Sequence, residues 1–174
     1  MSDTPYVARR ESRSEFIPVR GLSYHVRHWG DASLVTAERP PLVMVHGWMD
    51  VGASFQFVVD ALADDRYVVA PDWRGFGLTD TPQEDSYWFA DYLGDLDALI
   101  DATLKPFAGL TQVDLVGHSM GGNVVMIRLR GLALSGTVVR KGCTRPEGGL
   151  NRSESAVAPR TARRNRAPYH RTHE

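Results

Sequence analysis

The chain has 174 residues, 43% hydrophobic and 24% charged, with a net charge of −1. That is ordinary globular composition for one domain, able to bury roughly two-thirds of its unfolded surface. No run approaches the ~18 apolar residues of a spanning helix. The single cysteine, Cys143, excludes a disulfide framework and a cysteine-based zinc site. No apolar segment of signal-peptide type appears near Met1, so a cytoplasmic location is expected. The near-zero charge averages two unlike parts: residues 1–127 hold 9 Lys+Arg and 18 Asp+Glu, and residues 128–174 hold 11 and 3.

In chain order, residues 1–14 read as a polar, disordered leader. Residues 15–29 read as two short strands broken near Gly21, and His25 and His28 read as solvated edge-strand residues. Leu42-Val43-Met44-Val45 is a continuous apolar run, as in a strand buried on both faces. It ends at His46-Gly47-Trp48. Phe55, Val58, Val59, Leu62 and Ala63 then recur at helical spacing. Tyr67-Val68-Val69-Ala70 is a second buried strand, followed by the loop Asp72-Trp73-Arg74-Gly75-Phe76-Gly77. A helix capped by Asp85 or Ser86 is expected to run to about Thr103, with Phe89, Tyr92, Leu93, Leu96, Leu99 and Ile100 as its apolar stripe. Val113 to Val116 is a third buried strand, leading through Gly117-His118-Ser119-Met120-Gly121 into an apolar helix start. Alternating strands and helices imply βαβ units and a mostly parallel sheet, with the two N-terminal strands as an antiparallel edge and helices flanking it.

Gly117-x-Ser119-x-Gly121 between a strand and a helix is the setting of a nucleophile elbow. The serine sits on a strained turn, and small residues on either side relieve the crowding. The following helix directs its N-terminal amides at the same spot. Acyl transfer also needs two donors for an oxyanion, and the Met120 amide and the amide of Trp48 or Met49 are the candidates. His46 reads as a structural residue at the strand exit, and His118 as a packing or orienting residue. Asp50 and Asp72 stand near the mouth, where carboxylates can shape a pocket, but read more simply as surface-loop carboxylates.

With these three motifs in place, the segment from Phe16 to Ile127 resembles the α/β-hydrolase superfamily, and within it the serine esterase/lipase-like branch. Members with aspartate at the elbow, such as dehalogenases and epoxide hydrolases, fit less well, because this chain has Ser119. The resemblance implies a partial α/β-hydrolase fold over residues 15–130. It implies hydrolysis of a small ester or other acyl substrate with Ser119 as nucleophile; no metal-ligand spacing or dinucleotide fingerprint appears, so no metal or cofactor is expected.

The superfamily's order of serine, acid and histidine is not completed in a familiar way. The 55 residues after Ser119 hold no aspartate; their acidic side chains are Glu147, Glu154 and Glu174, and their histidines are His170 and His173. Periodicity fades after Ile127, and residues 131–174 read as a basic, disordered tail, as an aberrant reading frame would produce. The alternative function is therefore an inactive hydrolase fragment lacking the acid and histidine. The arginines of the tail do not amount to a nucleic-acid-binding fold. An unpaired edge beside the Ser119 strand would favour self-association or aggregation.

Overall fold

A computed structural model describes residues 5–83 and 87–131. Five strands form one sheet: β1 (Ser12–Val19), β2 (Leu22–Trp29), β3 (Leu42–Val45), β4 (Val68–Pro71) and β5 (Asp114–Gly117). Three helices accompany it: α1 (Gln56–Asp60), α2 (Phe89–Leu104) and α3 (Met120–Gly131). The sheet order is β1-β2-β4-β3-β5. β1 pairs antiparallel with β2, and β2 with β4, while β3 runs parallel to both β4 and β5. The expected partial α/β-hydrolase fold, a parallel centre with an antiparallel N-terminal edge, is therefore present.

The order of the strands explains where the helices lie. The chain leaves β3 toward β4 through α1, then crosses back past β3 to β5 through α2. Right-handed crossovers in opposite directions put their helices on opposite faces. Two cores result. On the α2 face, Val19, Tyr24, Val43, Val45, Val69, Leu96, Leu99, Leu115 and Val124 pack together. On the α1 face, Trp29, Met44, Phe55, Val59 and Val68 form the second. β3 and β4 contribute to both, which is why their sequences are continuously apolar. Each such fully buried side chain contributes about 1.5–3 kcal/mol relative to exposure.

Several elements depart from the sequence expectations. β2 is not an edge, because β1 covers one side and β4 the other. His25 and His28 are consequently buried, not solvated. β1 begins at Ser12, inside the expected leader, and the chain before it is tied down. The Arg9 and Arg10 amides donate to the Asp60 carboxylate at 3.0 and 2.8 Å, and Tyr6 Oη donates to it as well.

The helix expected from Phe55 is a 3-10 turn, Gly52–Phe55, followed by the five residues of α1. Asp60 turns inward there, while Val58 is exposed. The periodic pattern could not register a carboxylate satisfied by a distant segment. α2 starts at Phe89, and Asp91 Oδ2 accepts from the Trp88 amide at 3.1 Å. The expected cap at Asp85 or Ser86 lies outside the described residues.

Candidate active site

β3 and β5 are parallel neighbours, and the chain leaves them toward opposite faces of the sheet, from β3 through α1 and from β5 through α3. The crevice beyond their carboxyl ends is a topological switch point, where sheets of this type bind ligands. Both motifs singled out in the sequence, His46-Gly47-Trp48 and Gly117 to Gly121, leave their strands there.

Ser119 is exposed and has φ 50°, in the left-handed region that few residues other than glycine occupy. Such strain, of order 1–3 kcal/mol, persists where the surroundings enforce it. Two glycines show how. A Cβ on Gly117 would lie 2.6 Å from the Gly121 carbonyl carbon and from the Gly122 nitrogen. A Cβ on Gly121 would lie 2.4 Å from the Val45 carbonyl oxygen and 2.5 Å from that of His46. The start of α3 thus presses against β5 and the end of β3 at once. The His118 amide donates to the Val45 carbonyl at 3.0 Å, fixing the elbow to the neighbouring strand.

The two motifs meet at Gly47. A Cβ there would be 3.0 Å from Ser119 Cβ and 3.0 Å from His118 Nδ1. Trp48, the next residue, is exposed, and its ring packs edge-on against Phe76 at 5.3 Å. Met49 is exposed with φ 56°, so the backbone bends sharply just beyond Trp48. Met120 opens α3, where the first amides have no acceptor within the helix. Ser119, Trp48, Met120, Gly117, Gly121, His46 and Gly47 thus gather at one end of two adjacent strands.

The histidines near Ser119 do different things. His46 is fully buried. Its Nδ1 donates to the Gly47 carbonyl at 2.7 Å, and its Nε2 accepts from the Trp73 amide at 2.8 Å. The ring is therefore the neutral Nδ1–H tautomer, and burial pushes its pKa down despite the Gly47 carbonyl and the charges of Asp72 and Asp50. Trp73 Nε1 returns a bond to the His46 carbonyl at 2.9 Å, joining the loops after β3 and β4. His118 is exposed, with Nδ1 3.9 Å from Asp50 Oδ2. Burial raises the Asp50 pKa, but hydrogen bonds from Ser54 Oγ and the Val51 amide outweigh it and hold the carboxyl low.

The expectation for Asp72 is corrected. It is buried, not a surface carboxylate. Oδ1 accepts from the Gly52 amide at 2.7 Å, and Oδ2 from the Leu78 amide at 3.0 Å and His25 Nδ1 at 2.8 Å. A second buried polar cluster was not anticipated. Arg74 donates to Asp95 through Nε at 2.6 Å and Nη2 at 2.7 Å, and Tyr24 Oη also donates to Asp95. Burial and the Asp95 charge drive the Tyr24 phenol far above its ordinary range. The cluster ties β2 and the post-β4 loop to α2. The only available signal was Asp95 standing one residue before Leu96 on an otherwise apolar helix face.

Among the described residues, no group of three or more His, Cys, Asp or Glu side chains is arranged to hold a metal ion. No helix among them is long and apolar enough to cross a membrane. Cys143, Glu147, Glu154, His170 and His173 lie outside the described residues.

Comparison with known proteins agrees with this architecture. The chain is 34% identical over 111 residues to a 2-hydroxymuconate semialdehyde hydrolase of Pseudomonas sp. (strain CF600), covering 56% of this chain and 36% of the relative. It is 33% identical over 118 residues to a serine hydrolase-like protein of Danio rerio, covering 66% and 33%. The chain thus spans about a third of the length of these relatives. Among solved structures, an epoxide hydrolase from Vigna radiata superposes with a TM-score of 0.59 at 30% identity, covering 71% of this chain and 37% of that one. A sequence model of the alpha/beta hydrolase family matches residues 42–173, which takes in most of the segment where the helical and strand periodicity fades. The chain belongs to the alpha/beta hydrolase family.

Proposed function

We propose that Ser119 is the nucleophile of a serine hydrolase that cleaves a small ester or other acyl substrate. The observation that carries the reading is the strained, exposed Ser119 at the switch point, held by the close approach of Gly117 and Gly121 to their neighbours. In this reading Ser119 Oγ attacks the acyl carbon. The amides of Met120, at the N-terminus of α3, and Trp48, just beyond Gly47, stabilise the oxyanion. His46 positions the Trp48 loop through Gly47 and Trp73. The exposed ring of Trp48, the half-buried ring of Phe76 packed against it and the exposed Met49 side chain offer an apolar surface to the acyl or alcohol group. The similarity to a serine hydrolase-like protein supports a serine nucleophile. The epoxide hydrolase likeness supports the fold and a hydrolytic site, while the serine at residue 119 favours acyl chemistry.

A second reading is a chain without hydrolytic competence. It rests on His46, which is buried with both ring nitrogens engaged and so has no free lone pair to take the Ser119 proton. Turnover of p-nitrophenyl acetate separates the two. The first reading expects a rate that falls at least tenfold in Ser119→Ala. A rate unchanged by that substitution, or no turnover above solvent, rejects it.

A further inference from the structure

We infer that Ser14, His25 and Asp72 form a second serine–histidine–aspartate relay, able to cleave small carboxylic esters at Ser14. The three residues lie in hydrogen-bonding sequence. Asp72 Oδ2 is 2.8 Å from His25 Nδ1, and His25 Nε2 is 3.0 Å from Ser14 Oγ. The Asp72 carboxylate accepts from Nδ1–H, and with the ring proton there Nε2 accepts from the Ser14 hydroxyl. That is the arrangement by which a carboxylate orients an imidazole and the imidazole activates a hydroxyl.

The relay is rigid at one end and open at the other. Asp72 and His25 are buried, and the Gly52 and Leu78 amides fix the carboxylate. The Phe16 ring covers His25, with centroids 5.2 Å apart. Ser14 is exposed on β1, an outer strand of the sheet. β1 and β5 are the two ends of the strand order, so Ser14 lies four strand spacings, about 19 Å, from the Ser119 strand. The two serines therefore belong to separate sites.

A donor for developing negative charge stands beside Ser14. Arg27 is its direct partner in the β1–β2 register. Cross-strand partners place their Cβ atoms about 4.5–5.5 Å apart. Arg27 Nη1 donates to Ser12 Oγ at 2.8 Å, while its buried Nε has no hydrogen-bond partner among the described residues. The positive charge of this guanidinium, on the same face as Ser14, would favour an oxyanion forming there.

The step balances without any co-reactant beyond water. Ser14 Oγ forms a bond to the acyl carbon as its proton passes to His25 Nε2. The carbon–alkoxide bond breaks, and the alkoxide leaves as the alcohol with that proton. Water then attacks the acyl-serine, giving a proton to Nε2. The acid departs, and Ser14 recovers its hydroxyl proton from the imidazole. Asp72 is a positioning residue throughout.

The test uses the full chain carrying Ser119→Ala, treated with a fluorophosphonate and analysed by peptide mass mapping. Ser23, also exposed, serves as the internal comparison. The relay predicts an adduct on Ser14 forming at least tenfold faster than on Ser23. It further predicts that adding Ser14→Ala, an exposed change that leaves the core intact, removes the residual p-nitrophenyl acetate turnover. Labelling of Ser14 less than tenfold above Ser23, or residual turnover unaffected by Ser14→Ala, overturns the inference. Failure of the Ser119 reading would show instead on a different peptide, in the unsubstituted chain.

Discussion

Replacing Gly121 with alanine tests the elbow most sharply. In a helix, alanine is better than glycine by about 1 kcal/mol, so an unconstrained site would be stabilised. At Gly121 the new methyl would sit 2.4 Å from the Val45 carbonyl oxygen, 2.5 Å from that of His46 and 2.8 Å from the Val45 carbonyl carbon. All three are backbone atoms, so no side chain can rotate away. Normal carbon–oxygen contact is near 3.3 Å, and overpacking of this kind costs about 3 kcal/mol. Subtracting the helix gain leaves a net loss of about 2 kcal/mol.

The displaced carbonyls lie at the end of β3, directly before Gly47 and Trp48, so Ser119 labelling should slow as well. Gly122→Ala is the control. It is the same chemical change one residue along, with its nearest contact at 3.1 Å. Urea unfolding of both variants gives the difference from the midpoints. The expected order is Gly121→Ala less stable than Gly122→Ala by at least 1 kcal/mol, with slower fluorophosphonate labelling. Equal midpoints for the two variants would refute the packing argument on which the elbow rests.

Four further outcomes follow. Asp95→Ala removes the carboxylate that takes two bonds from the buried Arg74 guanidinium and one from the Tyr24 hydroxyl, while Asp91 stays 3.6 Å from Arg74 Nη1, and should cost about 3 kcal/mol in urea unfolding; a loss below about 1 kcal/mol would mean the cluster is not coupled to folding. Burial raises the Asp60 pKa, but bonds from Tyr6, Arg9 and Arg10 outweigh it and bring the carboxyl to about 2. Its folded pKa lies below the unfolded value, so its contribution is complete above about pH 4 and lost as pH falls toward 2; Asp60→Asn should flatten that part of the pH–stability curve. For His46 the depressed pKa places its contribution above about pH 6.5, declining as the pH drops below that, and an equally steep decline in His46→Asn would contradict the assignment. β5 pairs only with β3 among the described residues, and pairing with a second copy is the expected use of its other side; a concentration-independent monomer mass in sedimentation would refute this.

The sequence disclosed what repeats or what chemistry requires locally. Leu42 to Val45 is apolar at every position because helices cover both faces of β3, and that reads directly. The elbow reads because Gly117 and Gly121 are each hemmed in by backbone, a constraint that leaves glycine as its trace. What stayed hidden depends on contacts distant in the chain. Nothing near Asp72 announces that Gly52, Leu78 and His25 converge on it from other segments, so it looked like a surface carboxylate. His25 alternates with apolar neighbours as an edge residue would, and only the β1–β2–β4 order shows it to be covered on both sides. Asp95 and Asp60 occupy inward positions where helical periodicity assigns an apolar residue. Each is tolerated because an arginine, a tyrosine hydroxyl or a pair of amides arrives from more than 20 residues away.

Ser119 as an activated nucleophile at the β3–β5 crevice underlies the proposed function. Intact-mass analysis of the full chain after fluorophosphonate treatment, with the adduct mapped to its peptide, tests it most directly. A phosphonyl adduct is expected on the peptide carrying Ser119 and is expected to be absent in Ser119→Ala. A folded chain whose Ser119 peptide remains unmodified would contradict it.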